Sequence, residues 1–281
     1  MNQIINHLHT VFLSVREYIL KQKIIQSALN QARQPAKPIN IPFETEKIVI
    51  DYLLNAFPKA RLLSKEMGLI NESVTDYDFH FIIDSISGLD NYLNGIQPVG
   101  FSIAVCEGET ISTSSVTHGI LGNIITGSFV TASKGQGVEG INPSSKDFGR
   151  VSPPYYMATC SINPFQPEQF LLFQSVNQVF KELRSYGCPA IELFYVVEGI
   201  TSAHYDFRRE LTAESFLAAA LILDEMGGKL SDLEGNPVSD IENLTDRYSV
   251  VASHRAHHHL NHIRLLKEPG LYLGEWCGAK L

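Results

Sequence analysis

Apolar residues recur at three- and four-residue steps near the start of the chain: Ile4, Leu8, Val11, Phe12, Val15 and Ile19. That spacing gives one apolar face and predicts a helix over 4–20. Residues 30–42, with Pro35, Pro38 and Pro42, break the pattern and predict a loop. A second helix is expected from about Pro42–Glu44, with an acidic first turn that suits the positive end of the helix dipole, ending before Pro58. From Phe79 the texture changes. Phe79 to Ile83 is a short β-type run, mostly apolar, closing on Asp84. Residues 101–106, 111–118 and 124–132 predict three more strands. Turns are assigned to Glu107-Gly108-Glu109 and to Gly119–Gly122, which gives an antiparallel meander. Gly135-Gln136-Gly137 and Ile141-Asn142-Pro143 signal loops.

Ser144 to Pro154 is polar and ends in two prolines, which places a subdomain boundary there: 1–150 and 151–281. Beyond it, Phe170, Phe173, Val176, Val179, Phe180 and Leu183 predict a helix over 167–184. Further helices are expected over 189–198 and 213–226, the latter stopped by Gly227-Gly228 at the left-handed capping position. Tyr248 to Ala252 predicts a strand and His254 to Leu266 a final helix. This alternation points to an α/β layer.

Composition narrows the function classes. A chain of 281 residues, 44% apolar and 19% charged, is long enough for a large buried core. Its net charge of -8 disfavours direct contact with nucleic acid or an anionic membrane. A phosphate ligand would therefore need a local cation, either a metal or arginines. The four cysteines, Cys106, Cys160, Cys188 and Cys277, are scattered without a C-x-x-C pair, so neither a zinc site nor a disulfide framework is indicated. Reduced thiols in a cytoplasmic protein are the simplest expectation. No basic start precedes an apolar run, as a signal peptide would need, and no apolar stretch is long enough to span a bilayer.

Three segments carry the candidate chemistry. They are Leu62-Leu63-Ser64-Lys65-Glu66-Met67-Gly68, then Phe81-Ile82-Ile83-Asp84-Ser85-Ile86-Ser87-Gly88-Leu89-Asp90-Asn91-Tyr92, then Glu214-Ser215 running through Asp224-Glu225-Met226-Gly227-Gly228. In this order and at these separations they resemble the inositol monophosphatase family, whose segments read E-E-x-G, W-I-I-D-P-I-D-G-T-x-N-F and W-D-x-A-A-G-x-x-I-x-x-E-A-G-G. Lys134-Gly135-Gln136-Gly137 with Asn142, and Arg184 with Gly187, are similar to two further family stretches. The resemblance implies the family's αβαβα layered sandwich of α/β class, with an α+β N-terminal part, and a homodimer. It also implies two or three Mg²⁺ ions held by carboxylates, which bind phosphate oxygens, acidify a water and neutralise the leaving alkoxide.

Carried over residue by residue, Glu66 and Asp84 match metal-binding acids, Ile86 matches a residue whose backbone carbonyl binds metal, and Gly88 matches a glycine whose amide approaches the phosphate. Asp90 is a variable position beside the substrate and is expected to be a solvated turn residue. Ser87 stands where a metal-binding aspartate belongs, Leu89 where a water-positioning threonine belongs, and Ser215 where a third aspartate belongs. Pro42 falls where the family has an aspartate that pairs with that threonine. Glu214, one residue from Ser215 and about 100° round a helix, is expected to face elsewhere.

These losses imply a catalytically impaired member that binds a partner protein or a phosphorylated small molecule, with at most a single weak Mg²⁺. The alternative is an active Mg²⁺-dependent phosphatase that acts on inositol, sugar or nucleotide monophosphates through a rearranged site. Outside the motifs, Arg184, Arg208 and Arg209 are expected to be solvated. His254, His258 and His262, at four-residue spacing on an exposed final helix, are candidate chelators only adventitiously. Cys188 is expected to be a buried, inert thiol.

Overall fold

The computed structural model describes residues 3–31, 39–140, 155–163, 166–239, 241 and 245–267. The N-terminal apolar stripe forms helix α1 (Gln3–Gln31), which runs past the expected end near residue 20. Neither glycine nor proline interrupts the chain before Pro35. Helix α2 (Ile41–Ala56) starts where expected. Asn40 caps it, a proline sits in its first turn, and it stops before Pro58.

The first sheet has the order β2-β1-β3-β4-β5-β6-β7. Its strands are β1 (Arg61–Ser64), β2 (Gly68–Ile70), β3 (His80–Ser87), β4 (Gly100–Cys106), β5 (Val116–Asn123), β6 (Phe129–Ser133) and β7 (Gly137–Glu139). All pairs are antiparallel except β1 with β3. Strand alternation divides its side chains between two cores. Phe81, Ile83, Phe101, Ile103, Val105 and Ile120 join α1 and α2, whereas Ile82, Ala104 and Leu121 face the other way. On that second side lie helices α5 (Pro189–Val197) and α6 (Leu217–Glu225).

The second sheet has the order β11-β12-β10-β8-β9. It comprises β8 (Met157–Ser161), β9 (Glu182–Arg184), β10 (Ala203–Leu211), β11 (Lys229–Ser231) and β12 (Tyr248–Ser253). Leu230, Val250 and Ala252 pack on the α5/α6 layer. Ala158, Cys160, Tyr205 and Val251 pack the opposite way, against α4 (Pro167–Val179) and α7 (Ala256–Lys267). The layers are therefore helices, sheet, helices, sheet, helices: the αβαβα sandwich.

Several expectations are corrected. The Gly119–Gly122 turn does not exist. These residues lie inside β5, and the strand expected at 111–118 begins only at Val116. The glycines are there for close packing. A Cβ on Gly122 would meet the Phe12 ring at 2.6 Å, and one on Gly119 would meet the backbone of Ala218 at 3.3 Å. The turn instead follows β5, where Gly127 has φ 82°. The helix expected over 167–184 ends at Val179, and Arg184 belongs to edge strand β9. The short strands β1, β2, β7, β9 and β11 are too brief to show a period. The boundary placed at 144–154 lies outside the described residues.

The final helix is not exposed along its histidine face. His254, His259 and His262 are buried. The Ser253 hydroxyl lies 2.8 Å from both His259 Nδ1 and His262 Nδ1, and His254 Nδ1 donates to the Val196 carbonyl. These rings are structural. Burial lowers His259 to about 4 and His262 to about 3.

Above pH 6.5 neither state protonates these rings, so their contribution is complete. As pH falls below 6.5 only the unfolded chain takes up the protons, and stability declines by roughly 1.4 kcal/mol per unit and per histidine until the folded values are reached. Urea unfolding at pH 7.5 and 5.5 isolates this contribution when the wild type is compared with His262→Gln, because the raised Glu46 carboxyl shifts stability the opposite way over the same range. His262→Gln is expected to flatten the histidine-dependent decline. Separately, a Cβ at Gly100 would lie 2.7 Å from the Ala190 Cβ on α5. Gly100→Ala is expected to cost about 1–3 kcal/mol in the same assay.

Candidate functional site

Strand register sets up the site. β1 runs parallel to β3 with Ser64 beside Ile83, so the residue after Ser64 emerges next to Asp84. Lys65 is held there by its own amide, which donates to the Ile83 carbonyl at 3.3 Å. The turn that follows is pinned from below. Glu46, buried on α2, accepts from the Ser64 hydroxyl and from the Glu66 amide at 2.8 Å, and the Met67 amide donates to Ser64 Oγ at 3.0 Å. Burial pushes Glu46 up to about 7.

The outcome is an ion pair in the cleft. Lys65 Nζ lies 3.3 Å from Asp84 Oδ2, with side-chain exposures of 39% and 1%. The charge of Asp84 raises the Lys65 ammonium above its ordinary value against the opposing effect of burial, and Glu214 and Glu66 add to it. The other oxygen, Asp84 Oδ1, is buried with no hydrogen-bond partner among the described residues. Glu66 itself is exposed.

Ile86 and Ser87 end β3, and Ile86 packs its side chain into the α1/α2 core. Ser87 is spoken for: its hydroxyl accepts from the Ala190 amide at 3.4 Å and its carbonyl from the Cys188 thiol at 3.2 Å. Gly88 turns the chain at φ 80° into the short helix α3 (Leu89–Leu93). A Cβ there would meet Cys188 Cβ at 2.9 Å and the Pro98 carbonyl at 3.0 Å, so the position demands glycine. Leu89 packs on the α1/α2 core, and Asp90 is exposed in the first turn of α3. Pro42 is buried in the first turn of α2, and nearby Thr45 bonds Ser85 at 2.7 Å.

The opposite wall is a 3-10 turn, Ala213–Ser215, ahead of α6. The expectation that Glu214 faces elsewhere is corrected: Glu214 lines the cleft together with Ser215. Lys65, Arg208, Thr212, Glu214, Ser215 and Arg247 line one cleft of ≈ 400 Å³. Glu214 accepts from the Thr212 hydroxyl through Oε1, while its buried Oε2 has no partner among the described residues. Burial, and secondarily the charge of Asp84, raise Glu214 above the usual carboxylate range.

Arg208 also departs from expectation. It is part-buried in the cleft and grips buried Asp206 with bonds of 2.6–3.2 Å. Arg184 pairs with Glu182 at an exposed edge, and Arg209 is exposed at φ 56°. Cys188 is buried, and burial pushes its thiol up to about 12, as an inert thiol requires.

The donors do not fit the two-ion magnesium centre that the motif implies. Ser87 and Ser215 are neutral, one Asp84 oxygen is held by an ammonium, and among the described residues no group of three His, Cys, Asp or Glu side chains could hold a metal ion. Sequence reasoning missed Lys65, Glu46 and the inward Glu214. For Lys65 the signal was present, since a cation stands at the first acid of the E-E-x-G pattern.

Comparison with known proteins agrees with the architecture. The model of the inositol monophosphatase family matches residues 16–268. A fructose-1,6-bisphosphatase/inositol-1-monophosphatase of Methanothermobacter thermautotrophicus is 28% identical over 230 residues, covering 78% of this chain and 79% of the relative. A Nus factor SuhB of Pseudomonas aeruginosa is 25% identical, covering 68% and 70%. In fold the chain is similar to the crystal structure of an extragenic suppressor protein suhB from Bartonella henselae, with TM-score 0.74, 22% identity and 95% and 99% coverage. It is also similar to an inositol monophosphatase from Staphylococcus aureus, with TM-score 0.73, 18% identity and 95% and 93% coverage. With its family model covering all but the two ends and its layers matching those solved structures, the chain belongs to the inositol monophosphatase family.

Proposed function

We propose that this chain is a catalytically impaired member of its family that acts by binding, through its cleft, a partner protein or a phosphorylated small molecule. The ion pair between Lys65 and Asp84 carries this reading. Metal-assisted phosphate hydrolysis needs divalent charge to acidify the attacking water and to stabilise the leaving oxygen. An ammonium cannot coordinate and acidify a water, and it brings one positive charge where the metal centre brings at least two. The Ser87 hydroxyl is occupied by the Ala190 amide, and Leu89 contributes packing in place of a hydroxyl. Loss of leaving-group stabilisation alone is worth several kcal/mol, roughly a thousandfold or more in rate.

Magnesium remains the cation that family membership suggests. Where it binds at all, Asp84 Oδ1 and the exposed Glu66 carboxylate are the acids left to hold one ion, with the Ile86 carbonyl beside them. The same two acids support the second reading, a slow one-metal phosphatase acting on inositol, sugar or nucleotide monophosphates. The protein-partner branch draws support from relatives named for a Nus factor rather than for a hydrolase.

A phosphomonoester panel assayed with Mg²⁺ and Mn²⁺ is expected to show no turnover above that of Asp84→Asn. Turnover that Glu66→Gln and Asp84→Asn abolish would overturn the impaired reading in favour of the second. Restoration gives a further test. Ser87→Asp, Leu89→Thr and Ser215→Asp together are expected to create Mg²⁺-dependent turnover only when Lys65→Glu is added, measured as phosphate release.

A further inference from the structure

Two buried carboxylate oxygens have no partner among the described residues, Asp84 Oδ1 and Glu214 Oε2; Glu214 lines the cleft, and Asp84 pairs with Lys65, which also lines it. Their side chains belong to residues only 1% and 2% exposed. A buried carboxylate oxygen left unpaired is costly unless a positive charge or a proton compensates it. Lys65 Nζ sits 3.3 Å from Asp84 Oδ2 and lines the same cleft as Glu214. The strand that carries Asp84 packs directly on the 3-10 turn that carries Glu214.

The two acids come from different layers of the fold, Asp84 from β3 and Glu214 from the 3-10 turn ahead of α6. Each is fixed by something other than Lys65: the β3–β4 ladder for Asp84, and the Thr212 hydroxyl for Glu214. Lysine, by contrast, is a point charge on a flexible stem and can be withdrawn without unfolding what holds the acids.

We propose that Lys65 is a tethered cation that takes the place of a divalent ion on Asp84, and that it covers a latent single-ion site formed by Asp84 and Glu214. This inference rests on the binding, non-hydrolytic reading above and deepens it. The cleft of the native chain is independent of metal because its cation is covalently attached. Glu214 is not among the residues the family motif assigns to metal, so the latent site is this chain's own. Hard oxygen donors suit Mg²⁺ or Mn²⁺, with water filling the remaining positions.

Manganese titration of the full chain, followed by the electron paramagnetic resonance signal of free Mn²⁺, tests this directly. The wild type is expected to take up no ion at millimolar concentrations. Lys65→Met and Lys65→Gln are each expected to bind one ion at least about tenfold more tightly than the wild type. Lys65→Arg, which retains the charge, is expected to behave as the wild type, and Lys65→Met with Asp84→Asn is expected to lose the gained site. Variants that fold only when Mn²⁺ is present would agree with the proposal. Wild-type binding as tight as that of Lys65→Met would overturn it, as would Lys65→Met and Lys65→Gln that take up no ion or stay unfolded with and without it. Phosphate release from inositol 1-phosphate, measured on the same samples, separates the two claims. Wild-type binding without turnover sinks the tethered cation alone, whereas wild-type turnover sinks the impaired reading.

Discussion

A carboxylate inside a central strand, 1% exposed, must have a counter-charge, and in this molecule the counter-charge is an amino acid. Taking a lone carboxylate out of water costs several kcal/mol, and removing one partner of a buried pair commonly costs 3–5 kcal/mol. Lys65 is more than a third exposed, so solvent screening cuts the attraction well below that figure. The surroundings follow from the need to deliver this one ammonium. The parallel β1–β3 register puts position 65 beside position 84, and the Glu46 carboxylate fastens the turn that carries it.

An ammonium and a divalent ion satisfy the same electrostatic demand with different chemical results. Both neutralise Asp84. Only the metal presents open coordination positions, lowers the pKa of a bound water and spans two phosphate oxygens. Under the proposed function, replacing one by the other keeps the fold's charge balance and discards the reaction. That fits a chain whose layers match those of phosphatases and SuhB proteins alike, because fold and chemistry are separable. Gly88 shows the same separation, since its left-handed turn is fixed by close packing on Cys188 and Pro98.

Much of the architecture was legible in the sequence. Both N-terminal helices, the Asp84 strand, the glycine stop after α6 and the layered sandwich follow from apolar periods and ordered motifs. What escaped had local physical causes. Gly119 and Gly122 resemble turn residues, yet their missing side chains make room for Ala218 and Phe12, a tertiary reason that no local pattern displays. The histidines at 254, 258 and 262 resemble a polar helix face, but His254 and His262 are buried, where they bond the Val196 carbonyl and the Ser253 hydroxyl. At the site, the missing functional groups at 87, 89 and 215 could be seen by type. The inward Glu214 could not, because its carboxylate is held by the Thr212 hydroxyl within the turn, a bond that residue spacing does not display. Lys65 was visible, but its meaning depends on a register between two strands of which the shorter has four residues.

The most direct test of this account is an anomalous difference map from crystals of the unmodified protein grown in manganese chloride. No peak is expected at the Asp84 carboxylate, and the Lys65 ammonium is expected to be ordered within hydrogen-bonding reach of Oδ2. A pair of well-occupied ions bridged by Asp84, with the lysine displaced into solvent, would contradict it.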